Sequence, residues 1–110
     1  YITHGKINGK LVTFLVDTGA TQVSIPRRIA DAIGLVPTSR SVKVRTASGV
    51  ITTYQTFLDS VTIGEIELNH VEALINPDDR SEQILLGMSA LKHLEMVQSD
   101  GKLTLRQLKK

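Results

Sequence analysis

One short run of residues holds the ingredients of acid–base chemistry. Phe14-Leu15-Val16 is followed at once by Asp17-Thr18-Gly19-Ala20, which sets a carboxylate directly at the end of an apolar strand. A carboxylate placed there is costly unless it is paired or hydrogen-bonded. Thr18 and Gly19 supply a hydroxyl, small bulk and a backbone N–H that can approach closely. Such a site can hold Asp17 rigidly, support it with donors and leave its outer side open to water, as a general acid or base requires. Taken alone, the same residues also fit a turn aspartate that caps a strand end.

Other reactive groupings are poorly represented. His4, His70 and His93 are scattered, without an i, i+4 partner or a Glu-containing zinc pattern, and read as surface or loop residues rather than metal ligands. Ser89 follows Gly-Met but lies in no Gly-x-Ser-x-Gly elbow, which argues against a serine hydrolase. Asp78-Asp79-Arg80-Ser81-Glu82 reads as a solvated loop. Cysteine is absent, which removes disulfides, thiolate chemistry and Cys-based metal sites but identifies no compartment.

The elements that must position Asp17 are mostly strands. Ile2 to Ile7 leads into Asn8-Gly9, a strong hairpin signal, and then into Leu11 to Val16. Val23-Ser24-Ile25 is short and largely β-branched. Ser41 to Thr46 alternates, Val42 and Val44 on one face and Lys43 and Arg45 on the other. Ala47-Ser48-Gly49 reads as a turn, and Val50 to Leu58 as the next strand. Val61 to Ile63, Glu65 to Leu68 and Val71 to Ile75 continue the series, broken at Gly64 and at Asn69-His70. Lys102 to Leu105 follows the turn Asp100-Gly101. Two short helices are expected: Pro26 to Ile33, with Pro at its entry and Gly34 at its exit, and Ser89 to Leu94, with Ser89 as N-cap. Gly9 to Gly19 and Gly64 to Gly87 share one order of turn, apolar strand, Gly-containing loop and helix, which suggests two half-units about a pseudo-twofold axis.

Size and composition fit this layout. The 110 residues suit a single domain spanning 1–110, and the hydrophobic fraction of 41% suffices for a small core. With no Trp and few other aromatics that core must be aliphatic, which favours strands and a closed or sandwiched all-β body. Net charge is +2 and the basic residues are dispersed, so no nucleic-acid partner is expected. A sugar- or nucleic-acid-binding barrel would also need exposed aromatics that this chain hardly has. No stretch approaches the roughly 20 apolar residues of a membrane-spanning helix.

The two motifs together give a specific resemblance. Asp17-Thr18-Gly19-Ala20, preceded by Phe-Leu-Val, and Ile84-Leu85-Leu86-Gly87-Met88, just ahead of the C-terminal helix, resemble the paired signatures of the retropepsin-like aspartic peptidases, in particular their bacterial single-lobe branch. The likeness runs from about Tyr1 to Leu105. Thr46 to Tyr54 stands where that family carries its flap hairpin, with Ala47, Ser48 and Gly49 at the tip.

The resemblance implies a closed β-barrel lobe that dimerises so that two Asp-Thr-Gly loops meet on the twofold axis. Asp17 would be the catalytic carboxylate, Thr18 would hydrogen-bond to the opposite loop, and the flap would close over an extended polypeptide substrate. It implies neither cofactor nor metal. Bacterial members often carry an N-terminal membrane anchor, so anchorage through a segment outside these residues is a further expectation. Independently of the resemblance, one chain has one Asp-Thr-Gly, since Asp59, Asp78, Asp79 and Asp100 lack the Thr/Ser-Gly continuation, and activity would need a homodimer.

The sequence departs from the retroviral pattern at Thr21-Gln22, where acids often shape subsites, at the Ala-Ser-Gly tip, and at Leu-Leu-Gly-Met, which lacks the Gly-Arg-Asp/Asn continuation. The alternative to an aspartic endopeptidase is a catalytically silent lobe that binds or dimerises proteins. An intact Asp-Thr-Gly favours the enzyme. Leu103 to Leu105 with Ile2 are the expected strands of a shared dimer sheet.

Overall fold

The computed structural model describes residues 1–47 and 49–108. Asn8-Gly9 turns β1 (Ile2–Ile7) back onto β2 (Lys10–Val16), both turn residues adopting the positive φ that a two-residue hairpin demands. β3 (Val23–Pro26) runs into α1 (Arg27–Ala32), whose first turn uses the fixed φ of Pro26. The α1 exit is closed by Leu35 N–H donating to Ala30 O at 2.9 Å and Gly34 N–H to Asp31 O at 3.2 Å, the two bonds of a Schellman cap. Then follow β4 (Ser41–Thr46), β5 (Gly49–Ile63), β6 (Ile66–Asn76), β7 (Ile84–Leu86), α2 (Met88–Leu91), β8 (Leu94–Ser99) and β9 (Lys102–Gln107).

The main sheet has the order β1-β2-β7-β3-β6-β5-β4, and β1 also pairs with β5 at Lys6 and Ile7. That contact closes six strands into a mixed barrel, with β4 hanging from the first half of β5. β8 and β9 form a separate antiparallel pair. No helix among the described residues is long and apolar enough to cross a membrane.

The pairings carry the pseudo-twofold suggested by the repeat. β2 runs parallel to β7 and β3 runs parallel to β6, so each half lends its first strand to the second strand of the other. β3 and β7 cross antiparallel at Ser24 and Leu85, where the axis falls. A helix follows each of those two strands.

Four sequence expectations need correction. β5 is one continuous strand, because pairing to β6 resumes at Ser60↔Asn69 after Leu58↔Val71, with no break at Asp59. β6 is continuous too: His70 takes φ 53° and kinks the strand without ending it. The second helix stops at Leu91, and Leu94 opens β8, a strand the sequence reading had not placed. Ser89 caps nothing; Gly87 occupies the cap position, and the Ser89 hydroxyl is used elsewhere. Ser48 at the expected flap tip lies outside the described residues.

The core is aliphatic around one ring, Phe14, which is fully buried with Ile7, Ile25, Leu58 and Ile84. Barrel closure leaves no room beside it. A Cβ at Gly5 would lie 2.2 Å from the Thr62 carbonyl oxygen of β5 and 2.9 Å from the Phe14 ring. Gly5→Ala should therefore push β1 off β5 and lower stability by about 3 kcal/mol in urea unfolding. Leu11→Ala, at a side chain 81% exposed, should change it by less than about 0.5 kcal/mol.

Candidate active site

The loop that carries Asp17 is built by the end of one ladder and the start of another. β2 pairs with β7 up to Val16↔Leu86, and Asp17 N–H extends the ladder by donating to Leu86 O at 3.1 Å. The chain then turns: Ala20 N–H donates to Asp17 O at 3.2 Å, and Gly19 N–H to Asp17 Oδ1 at 2.9 Å. The second bond is an Asx turn, which fixes the carboxylate plane through its own backbone. Asp17 is half-buried, and among the described residues its Oδ2 has no protein partner. Thr18 is exposed, and its hydroxyl is likewise unpartnered there.

The second motif grips the far side of this loop. Met88 N–H donates to Ala20 O and Ser89 N–H to Thr21 O, each at 2.8 Å. Gly87 lies so close beneath that an added Cβ would stand 2.1 Å from Gln22 O and 2.8 Å from Ala20 O. Leu85, Leu86 and Gly87 are thus brought against Asp17 to Ala20, and the glycine is a steric requirement of that crossing.

Ser89 completes the clamp. Its hydroxyl donates to Glu72 O at 2.7 Å and accepts from Val23 N–H at 3.0 Å, tying α2, β6 and the start of β3 together. Sequence reasoning missed this role, because a serine after Gly-Met carries no local signal of partners in β3 and β6. Gln22 Nε2 also reaches Glu72 Oε2 at 3.4 Å.

Ala47 and Gly49 sit on a different part of the sheet. β4 and β5 form a hairpin whose last register pair is Thr46↔Gly49, and the Thr46 hydroxyl donates to Gly49 O at 2.9 Å. No hydrogen bond among the described residues joins Ala47 or Gly49 to the Asp17 loop. Two clefts flank that loop, one of about 810 Å³ touching Val16 and one of about 380 Å³ touching Thr21 and Gln22. Asp17 lines neither, so its free oxygen opens on the surface of the lobe.

A closed six-stranded barrel with an Asp-Thr-Gly loop crossed by a Leu-Leu-Gly strand defines a class of acid-peptidase lobes, and the comparisons agree. Residues 3–93 match the family described as "gag-polyprotein putative aspartyl protease". A crystal structure of a retropepsin-like aspartic protease from Rickettsia conorii superposes with a TM-score of 0.77 at 26% identity, covering 94% of this chain and 80% of that one. A Sinorhizobium sp. protein described as an uncharacterized protein in the cobV 5′ region is 36% identical over 98 residues, 87% of this chain. The chain spans 42% of that relative's length. The chain belongs to the retropepsin-like aspartic protease family.

The clamp makes a stability prediction that is independent of activity. Ser89→Ala leaves the part-buried Val23 N–H and Glu72 O without partners and should cost about 2 kcal/mol. Gly87→Ala meets backbone on two sides and should cost more, with amide exchange at Asp17 to Gln22 accelerated in both variants.

Proposed function

We propose that this chain is one retropepsin-like domain and one half of a homodimeric aspartic endopeptidase, with Asp17 of each subunit forming the catalytic pair. The observation that carries the reading is a carboxylate held by one oxygen, with the other oxygen and the neighbouring Thr18 hydroxyl free of partners among the described residues. Both groups are oriented for something outside their own chain.

A lone chain does not meet that need. Asp79 sits in a turn of similar form, its Oδ1 accepting from Ser81 N–H at 2.8 Å, in the β6–β7 connection that the pseudo-twofold relates to the Asp17 loop. Yet β2 is parallel to β7, β7 antiparallel to β3, and β3 parallel to β6, so β2 and β6 run in opposite directions. Asp17 and Asp79 follow the C-terminal ends of those strands and fall at opposite ends of the barrel. The matching acid must come from a second copy.

Two carboxylates facing each other at short range cannot both ionise, so the pair holds one proton. The ionised member takes a proton from a water bound between them, and that water attacks the peptide carbonyl. The protonated member donates to the carbonyl oxygen. Thr18 of each loop fixes the pair by donating across the axis. The β4–β5 hairpin is the flap: it lies over an extended peptide, excludes water and adds strand-like hydrogen bonds. The polypeptide substrate runs between flap and loops.

The test compares the wild-type chain with Asp17→Asn over a concentration series, on an unstructured peptide mixture from about pH 4 to 7. Cleavage read by mass spectrometry should rise faster than linearly with protein and fall at least about 1,000-fold in the variant. Activity that survives the substitution would place the chemistry elsewhere. A dimer that cleaves nothing would leave a lobe that binds without catalysing.

A further inference from the structure

β2 has an edge that its neighbours cover only in part. Val16 N–H donates to Tyr1 O and Asp17 N–H to Leu86 O, so the even-numbered residues of β2 bond to β1 and the odd-numbered ones face β7. β7 begins only at Ile84, opposite Phe14, where the parallel register gives Thr13 O to the Ile84 N–H. Before Ile84 the chain turns away, with Ser81 N–H bonded to Asp79 Oδ1 and Gln83 N–H to Ser81 Oγ. Leu11 N–H, Leu11 C=O and Thr13 N–H are left without partners among the described residues. They open on a cleft of about 490 Å³ walled by Val12 and Ile84 on one side and by Ile29, Ala32 and Ile33 on the other. Leu11, 81% exposed, stands at its rim.

We infer that this edge is a docking site for an extended acidic peptide of a partner protein, which adds to β2 as a short strand and places one aliphatic side chain in the cleft. The inference goes beyond the proposed function. Leu11 lies about 20 Å along the strand from Asp17, and docking there uses no carboxylate pair. An N–H, a C=O and a second N–H at strand spacing are complemented by another extended backbone. A strand that meets them has one residue opposite Val12, and that residue's side chain lies on the same face as Val12. It enters the cleft among Ile29, Ile33 and Ile84. A polar side chain would lose its water there without gaining a partner, so the position selects an aliphatic one.

Charge selects the partner. Across the β1–β2 ladder Lys6 stands opposite Leu11 and His4 opposite Thr13, each pair sharing one face. Lys10 spans one end of the cleft, its Nζ donating to Ile33 O at 3.4 Å, and Arg28 lines the other. Glu82, the carboxylate that lines the cleft, is paired with Arg28, and neither Lys6 nor Lys10 forms an ion pair among the described residues. The edge is therefore cationic, and it attracts a strand with acids on either side of its aliphatic residue and repels a basic one. Edge lysines also keep one copy's edge from pairing with another's, which leaves this edge to an acidic strand.

The probe is a short capped peptide of alternating Glu and Val, added to the Asp17→Asn chain so that no cleavage intervenes. In the free chain the amides of Leu11 and Thr13 should exchange faster than those of Lys10 and Val12, which bond to β1. At saturating peptide, exchange at Leu11 and Thr13 should slow at least about tenfold, with no change over residues 17–22. Leu11→Asp and Ala32→Glu, both at exposed positions, should each weaken binding at least about tenfold in calorimetry, with unchanged circular dichroism. A peptide alternating Lys and Val should not bind, and one alternating Glu and Ser should bind at least about tenfold more weakly. Protection that appears over residues 17–22 instead would put the peptide at the Asp17 loop, which overturns the docking edge and supports the peptidase reading. Equal binding of an oligonucleotide of matching charge, indifferent to Ala32→Glu, would make the edge a general polyanion surface and overturn the inference. Absence of binding even at millimolar peptide overturns it too, and spares the peptidase reading, to which this edge contributes nothing.

Discussion

The structure turns on one crossing, where the strand end that presents Asp17 passes over the strand end that presents Gly87. Asp17 N–H is bonded to Leu86 O, Met88 and Ser89 N–H are bonded to Ala20 and Thr21 O, and the Gly87 Cα sits where a methyl group would strike Gln22 O. These bonds join residues roughly seventy apart in sequence, so they exist only once the barrel has closed. Closure in turn depends on β1 reaching β5 at Gly5, a second place where backbone meets backbone without space for a side chain. The carboxylate is therefore as well placed as the barrel is complete.

The same crossing explains why one lobe keeps the turns of Asp17 and Asp79 apart rather than as a pair. The pseudo-twofold exchanges β2 with β6 and β3 with β7, and an axis that relates antiparallel strands sends their C-terminal loops to opposite poles. Any acid in the β6–β7 connection, Asp79 included, is carried away from Asp17 by the symmetry that builds the fold. A close pair of carboxylates needs a second axis, between lobes. An Oδ2 and a Thr18 hydroxyl without partners among the described residues are features that such an axis would use.

How much of this was legible follows from the range of each interaction. Asn8-Gly9, Pro26 and the alternation of Ser41 to Thr46 act locally, and β1, β2, the entry to α1 and β4 fall where the sequence puts them. The Asp17-Thr18-Gly19 loop falls directly after β2, where the sequence puts it, because the apolar run before it and the glycine in it act locally. β8 was not, because Leu94-Glu95-Met96-Val97 has too few residues to separate strand from helix, and its partner lies beyond a turn. The reading ended strands at Leu58 and at Asn69-His70, yet pairing on both sides carries β5 and β6 through them. Ser89 was invisible as a clamp because its two partners, Val23 and Glu72, lie in other elements. Local structural signals were readable, and the bonds that close the fold were not.

The hydrogen bonds tie the Asp17 loop to several elements and the β4–β5 hairpin to few. Residues 17–22 are held from three elements, whereas among the described residues the only strand that β4 pairs with is β5. Tyr54 is the pivot: it pairs with Ser41 on one side and with Ile75 on the other, where β5 leaves the hairpin and enters the barrel. Just there, buried Thr53, Gln55 and Thr56 anchor the neighbouring chain. Thr53 donates to Val42 O, Thr56 to Val36 O, and Gln55 exchanges backbone bonds with Thr38 and Arg40. Bending above that belt breaks no barrel pairing, and bending below it would expose three polar side chains together with the core. The buried polar groups mark where the β4–β5 hairpin ends and the barrel begins.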